Sequence, residues 1–237
     1  MRRKLAIFVV AVIFSFSVLP ILHAESSDAV DLVAETIEYD STQGLITAQG
    51  SVKLTRDGAI VTGETATYNT KSKEAYITGN VKMVRQDTTL HAAEVRSYDN
   101  NYMVATGEAR LVKGDNTAEG EKIEYWTDKA YSLITGQPKL TMPDGVMTAE
   151  KIEAYHNEDK AIGSGQVHIV SDTRKLDATA DQAVYYGDKQ GQGKVVLTGD
   201  ARAVQEGNTL TGNTLTLQFD NKTIGAEGRS KLVVTPQ

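Results

Sequence analysis

The feature that most constrains this chain is an internal repeat of about 29 residues. A glycine marks the same place in each of seven copies, at steps of 28 to 34 residues. An aromatic residue precedes each glycine, and an acidic residue stands before most of those aromatic residues. The seven glycines are Gly50, Gly79, Gly107, Gly136, Gly165, Gly199 and Gly228. A fixed period of this length indicates a repeat architecture, in which each unit buries its apolar face against its neighbours.

Each copy has the pattern of two β-strands. Around the first glycine, Ile46, Ala48 and Gly50 alternate with polar residues, which is the period of a strand with one buried face. No segment after the first 24 residues shows the apolar period of a helix. We therefore expect an all-β, solenoid-like stack of about seven two-strand repeats between Val33 and Val234, with about fourteen strands. Stacked at roughly 4.8 Å per repeat, the body would be about 34 Å long.

The N-terminal segment differs in composition from the rest of the chain. Three basic residues precede an apolar run over residues 5–22, and Ala24 is followed by a polar stretch. This layout is typical of a secretory signal peptide, and the length of the run also fits a retained membrane anchor. We expect residues 1–24 to be a signal peptide or an uncleaved anchor. Residues 25–237 would then form one exported repeat domain.

Composition and motifs argue against several function classes. The chain has no cysteine, which excludes disulfides, thiol nucleophiles and cysteine-ligated zinc, and its net charge of −6 argues against nucleic acid as a partner. No metal-binding histidine pair and no nucleophile motif is present. The acids recur at one place in every copy, which favours a structural role over a catalytic one. The sequence predicts no catalytic residue, no metal and no cofactor, and therefore not an enzyme.

The apolar face carries many small residues, and two interpretations remain open. Opposing sheets could come close enough for small residues to touch, or the face could leave an elongated groove for an apolar ligand. The recurring glycine is expected on this same inward face. The inward candidates for ligand contact are Ile37, Ile46, Val52, Leu54, Ile77, Val81, Met83, Leu111, Ile134, Leu140, Val167, Ile169, Leu197, Leu217 and Phe219.

The two ends of such a stack present unpaired strand edges. The last strand, residues 230–235, has no obvious cap, and neither has the first repeat. A short tail could fold over each edge. The functional alternative is end-to-end strand addition to another copy or to a partner.

The motif of the repeat resembles the OstA/LptA family of periplasmic lipopolysaccharide-transport proteins. Residues 34–40 match A-E-x-I-x-Y-D, and residues 46–54 match I-x-A-x-G-x-V-x-L. Similar units begin at Gly63 and at Gly120. The resemblance covers essentially all of the chain after the leader.

The resemblance implies a twisted, open β-jellyroll whose apolar interior carries the acyl chains of lipopolysaccharide. It also implies partners: lipopolysaccharide, and other proteins of this fold, which pair end to end in a bridge from the inner to the outer membrane. Self-association would follow the same geometry. The leading expectation is such a periplasmic bridge component. The alternatives are an LptC-like component anchored in the inner membrane and a β-solenoid with no transport role, with a glycan-active solenoid enzyme as a third.

Overall fold

The computed structural model describes residues 30–56, 58–98, 101–187, 193–218 and 223–235. The expected leader, Phe219 and residues 188–192 of the sixth repeat lie outside the described residues. Within these ranges the chain forms eighteen strands and a short 3-10 turn, His156–Glu158. The strands are β1 (Asp31–Val33), β2 (Thr36–Asp40), β3 (Leu45–Arg56), β4 (Ala59–Asn69), β5 (Ala75–Arg85), β6 (Thr88–Tyr98), β7 (Tyr102–Lys113), β8 (Asn116–Trp126), β9 (Tyr131–Thr135), β10 (Lys139–Met142), β11 (Gly145–Thr148), β12 (Lys151–Tyr155), β13 (Lys160–Ser171), β14 (Leu176–Tyr186), β15 (Lys194–Gln205), β16 (Asn208–Gln218), β17 (Ile224–Glu227) and β18 (Lys231–Val233).

The all-β prediction is confirmed, and every pair of hydrogen-bonded strands in the described residues is antiparallel. The fourteen expected strands appear as eighteen because four of them are interrupted near their middle. The interrupted ones are the pairs β1 with β2, β9 with β10, β11 with β12, and β17 with β18. The remaining ten run unbroken for 11 or 12 residues each.

Each long strand belongs to two halves of the sheet. The C-terminal part of β8 pairs with β9, whereas its N-terminal part pairs with β10. In the same way β13 pairs with β12 through one part and with β11 through the other. We call the half that contains β2, β9, β12 and β17 half A, and the half that contains β1, β10, β11 and β18 half B. Both halves contribute to a single hydrophobic core.

This topology corrects the expected dimensions. The prediction of about 34 Å assumed one layer for each repeat. Every strand instead occupies its own layer and crosses both halves, so fourteen layers lie side by side. At roughly 4.8 Å per strand, the stack is about 60 Å along its axis.

The recurring glycines lie where the strands pass from one half to the other. All seven have positive φ, from 74° to 86°, and in six copies the next residue is also left-handed. The pairing register shifts by one residue at each glycine that lies within a long strand, as between Gln49 and Val52 of β3. These are β-bulges, which bend a strand and let it leave one sheet for another. We call this line of bulges the bulge row. Glycine is favoured at these positions because a φ of 74° to 86° lies beyond the small left-handed region that residues with a Cβ adopt.

In five of the seven repeats an acidic side chain packs over the glycine. A Cβ built on Gly50, Gly79 or Gly136 would overlap the side chain of Glu35, Glu64 or Glu121, respectively. A side chain at the glycine position would thus point toward an exposed carboxylate. The expectation that the glycine lies on the inward face is therefore wrong. The bulge turns the local backbone away from the strand's regular alternation.

The third repeat departs from the pattern. Opposite Gly107 stands Ala93, one residue before the acid that the sequence pattern selects, Glu94. Glu94 instead accepts hydrogen bonds from the hydroxyls of Tyr76 and Thr106. This repeat is one residue shorter than its neighbours. The spacing in the sequence therefore assigned Glu94 to the position opposite Gly107, which Ala93 occupies in the structure.

Substitution of Gly136 by alanine tests the bulge row. We expect a loss of about 2–4 kcal/mol in the free energy of unfolding, from left-handed backbone together with the overlap on Glu121. Gly207→Ala is the matched control, because Gly207 also has positive φ but has nothing within 4 Å of a built Cβ. It should cost about 1–2 kcal/mol. Urea denaturation of both variants measures the difference, and equal losses would contradict the packing role of the acid.

Candidate functional site

Two uninterrupted apolar rows face the interior, one from each half. We call the side chains of these rows and their inward neighbours the inner face. In half A, consecutive cross-strand partners form a row of fourteen residues from Ile37 to Ala226. They are Ile37, Ala48, Ala66, Ile77, Val95, Ala105, Ile123, Ile134, Ile152, Gly163, Ala183, Leu197, Leu215 and Ala226.

The row in half B is equally continuous. It runs from Leu32 to Leu232 and again contains no polar residue. Its members are Leu32, Leu54, Val61, Met83, Leu90, Leu111, Ala118, Leu140, Met147, Ile169, Ala178, Ala203, Leu210 and Leu232. Alternation along each strand and pairing between strands together produce this apolar band, which spans the described stack.

Burial divides the inner face into a closed middle and open ends. Near the centre, Leu111 and Ile123 are 0 % and 1 % exposed, because the two halves pack directly on each other there. At the first strands Ile37 is 48 % exposed, and at the last strand Leu232 is 61 % exposed. The terminal layers lack a further neighbour to cover them. The interior is therefore filled in the middle of the described stack and accessible at its two ends.

The structure places fourteen of the fifteen predicted contact residues on the inner face, and Phe219 lies outside the described residues. The buried ones are Val52, Ile77, Val81, Met83, Leu111, Ile134, Leu140, Val167, Leu197 and Leu217. Ile46, Leu54 and Ile169 are half-buried, and Ile37 is exposed. These residues thus share one surface without converging on a single pocket.

A buried histidine, which the sequence-based prediction missed, lies at the margin of the inner face. Ile152, Ala154 and His156 are spaced by two residues, so strand alternation places all three on the inward side. This spacing in the sequence could have identified His156 as an inward residue. Its Nε2 lies 3.0 Å from the hydroxyl oxygen of Ser132, and its ring is 5.9 Å from that of Tyr125. Burial, with a smaller contribution from the charge of Lys113, lowers the pKa of His156 to about 4. The histidine is therefore neutral at physiological pH.

Aromatic side chains form a second row on the opposite, outer face of half A. Neighbouring ring centroids are 4.7 to 5.5 Å apart along Tyr98, Tyr102, Trp126, Tyr131 and Tyr155. Trp126 packs between Tyr102 and Tyr131, so it is a packing residue of this row. The five rings lie on the neighbouring strands β6, β7, β8, β9 and β12, a relation that spacing alone did not reveal.

Carboxylates beneath this aromatic row are held by hydrogen bonds. Tyr102 donates its hydroxyl to Glu124, and Tyr131 donates to Glu153 over 2.7 Å. Burial, followed by these hydrogen bonds, raises the pKa of both phenols. Lys122 and Lys151 complete the contacts of the two carboxylates. These acids thus belong to a packed outer surface and do not face each other across a cleft.

Other site types receive no support within the ranges the structure covers. No group of three or more histidine, aspartate or glutamate side chains there could hold a metal ion. Among the described residues there is also no helix that is long and apolar enough to cross a membrane.

The family model described as "LptA/(LptD N-terminal domain) LPS transport protein" matches residues 61–160 and 157–223, more than half of the 237 residues. The chain belongs to this family. A solved structure, LptH, is titled the LptA homologous periplasmic component of the conserved lipopolysaccharide transport device from Pseudomonas aeruginosa. It matches at 15 % identity over 89 % of this chain and 98 % of its own, with a TM-score of 0.21. No curated protein sequence matches the chain significantly.

The buried histidine of this family member predicts a pH-dependent stability. The pKa of His156 lies near 4 in the folded protein and near 6.5 when unfolded, so the unfolded state binds the extra proton. Stability contributed by neutral His156 is complete above about pH 6.5 and is lost as the pH falls toward 4. We expect a loss of about 2 kcal/mol between pH 7 and pH 5.

Urea denaturation at the two pH values measures this loss. His156→Gln should remove most of the difference between pH 7 and pH 5. His168→Gln is the control, because His168 lies half-buried on the outer face beside Asp177, 44 % of its side chain exposed. If His156→Gln keeps the full pH dependence, another group is responsible for it.

Proposed function

We propose that this chain is a non-enzymatic, periplasmic component of lipopolysaccharide transport, and that its inner face carries the acyl chains of the lipid. The two apolar rows carry this proposal, because an unbranched hydrocarbon chain needs a continuous apolar surface along its length. Membership of the LptA and LptD N-terminal family supports the transport role. Each row extends over all fourteen layers without a polar interruption.

The closed middle determines how a lipid would enter. The ladder hydrogen bonds run within each half, and the contacts between facing rows are apolar. Separation of the halves therefore breaks no ladder hydrogen bond and exposes apolar surface that an acyl chain can cover. The exposed ends of the inner face, with Ile37 at one end and Leu232 at the other, are the proposed points of entry and exit.

The terminal strands are the proposed contacts with other proteins of this fold. At the N-terminal end Val33 and Tyr39 are 62 % and 60 % exposed, and at the C-terminal end Val234 is 63 % exposed. Strand addition at these edges would pair backbone groups and extend both apolar rows into the next molecule. The bridge and the lipid path would then be the same continuous structure.

A second candidate function is a structural β-solenoid without a lipid. The closed middle favours it, since a filled interior needs no ligand for its stability. The two candidates differ in whether the inner face ever contacts lipid.

Site-specific photocrosslinking to lipopolysaccharide separates them. A photoreactive residue at Ile37 or Ile134 on the inner face should capture the lipid. The same probe at Glu38 or Thr135, the adjacent outward positions, should capture little, because strand alternation points them to the other face. Capture at Ile134 requires the halves to part. Equal capture from both faces contradicts the lipid path, and no capture at any position favours the structural solenoid.

Self-association tests the role of the edges. Leu232→Asp combined with Val234→Asp places charge on the exposed last strand and should shift the protein to monomers in sedimentation velocity. Ile60→Asp is the control, since Ile60 is 39 % exposed on β4 and lies within the stack. It should leave association unchanged. A wild-type chain that stays monomeric at every concentration would contradict pairing between copies.

A further inference from the structure

Three cations lie on the inner face at the free edge of half B. Arg56, Arg85 and Lys113 are the last residues of β3, β5 and β7. Each stands two residues beyond a member of the apolar row, namely Leu54, Met83 and Leu111, and so points to the same side of its strand. All three cations are half-buried.

The pairing register places these cations in a single line. Arg56 pairs with Ala59, Ala59 with Arg85, and Arg85 with Thr88. Thr88 then pairs with Lys113, and Lys113 with Asn116. The cations therefore recur on every second strand, about 10 Å apart. We call Arg56, Arg85 and Lys113 the cation line.

The charge of this surface has one sign. The inward positions of half B on β3 to β8, all within the described ranges, include these three cations and no aspartate or glutamate. His156, which feels the charge of Lys113, is neutral at physiological pH. Asp87 and Asp115 lie exposed at the hairpin tips, beyond the strands. The corresponding ends of β13 and β15 are Ser171 and Gln205, so the cation line ends within the first half of the stack. Arg174, in the turn after β13, pairs with Asp144.

We propose that the cation line binds phosphate groups of the transported amphiphile, while its acyl chains lie on the adjacent apolar rows. Two residues along a strand separate the cations from the apolar row, about 7 Å. This matches an amphiphile whose charged head adjoins its hydrocarbon chains. Guanidinium groups donate paired hydrogen bonds to phosphate oxygens, and partial burial protects these contacts from salt.

The inference rests on the proposed function and adds a headgroup site to it. None of the three cations is without contacts inside the chain, so the argument depends on their common line and sign of charge. Repetition along the axis gives a phosphate successive equivalent positions as a lipid moves between layers. The headgroup site therefore extends along the start of the path.

Binding of two lipids tests the proposal. The probes are bisphosphorylated lipid A and the same lipid with both phosphates removed, in identical detergent micelles. Wild-type protein should bind the phosphorylated form about tenfold more tightly or better. Arg56→Gln combined with Arg85→Gln should abolish this preference while leaving the affinity for the dephosphorylated lipid unchanged. Arg56→Lys combined with Arg85→Lys should retain the preference in part, because the charge is kept.

The control removes the same charge from the outer face of the same strands. Lys53 and Lys82 both pair with Thr62 in one outward row, so Lys53→Gln with Lys82→Gln should keep the full preference. Competition by millimolar inorganic phosphate would show that phosphate alone occupies the line, and its failure would show that the lipid-borne group is required. A wild-type protein that binds both lipids equally overturns the headgroup site and leaves the transport proposal standing. Binding of neither lipid contradicts the transport proposal itself.

Discussion

The left-handed bulge in every second strand is the constraint on which this structure depends. A regular strand would continue in one sheet, and a flat sheet of fourteen strands could not cover its own apolar face. The bulge bends the strand that carries it so that the two ends of that strand lie in facing halves, as the pairing of β13 with both β12 and β11 shows. Glycine permits the backbone conformation, and the neighbouring acid fills the space beside it.

Two consequences follow for the interior. Each strand supplies inward residues to both halves, so the two ends of a layer pack against each other. The space between them is narrow and needs no large side chain to fill it. Small residues such as Ala48 and Ala105 are fully buried for this reason. The modest content of large apolar residues therefore does not indicate a weak core. It indicates a thin interior between two closely packed half-sheets.

Much of this fold could be predicted from the sequence, because strand alternation and a repeated glycine are local signals. The all-β class and the inward positions of the strands followed from them, although four of the fourteen expected strands are interrupted in the structure. The bend could not be predicted, since alternation on both sides of Gly50 is identical whether the strand is straight or folded. The sequence pattern also misaligned the third repeat, in which Ala93 occupies the position of the acid opposite the glycine. The aromatic row around Trp126 depends on pairing between strands, which spacing alone does not reveal.

The predicted contact residues in the described ranges share one face in the structure, and their contact with lipid stays a prediction. The exposure of each residue depends on the tertiary structure. Ile37 and Ile134 have the same pattern in sequence, yet one is 48 % and the other 2 % exposed. Position in the stack decides this difference, and no local motif encodes it. The charge of Arg56, Arg85 and Lys113 was visible in the sequence, whereas their alignment required the register of six strands.

In the described part of the chain, pairing joins only layers that are adjacent along the chain, which has a consequence for how such a protein can change in evolution. Each layer is stabilised by the one before and the one after, so duplication of a repeat inserts two layers without altering the others. Every added repeat would lengthen the body by about 10 Å and extend both apolar rows by two residues. Length is thus an adjustable property of this architecture, because repeats can be gained or lost without a change in the rest of the stack.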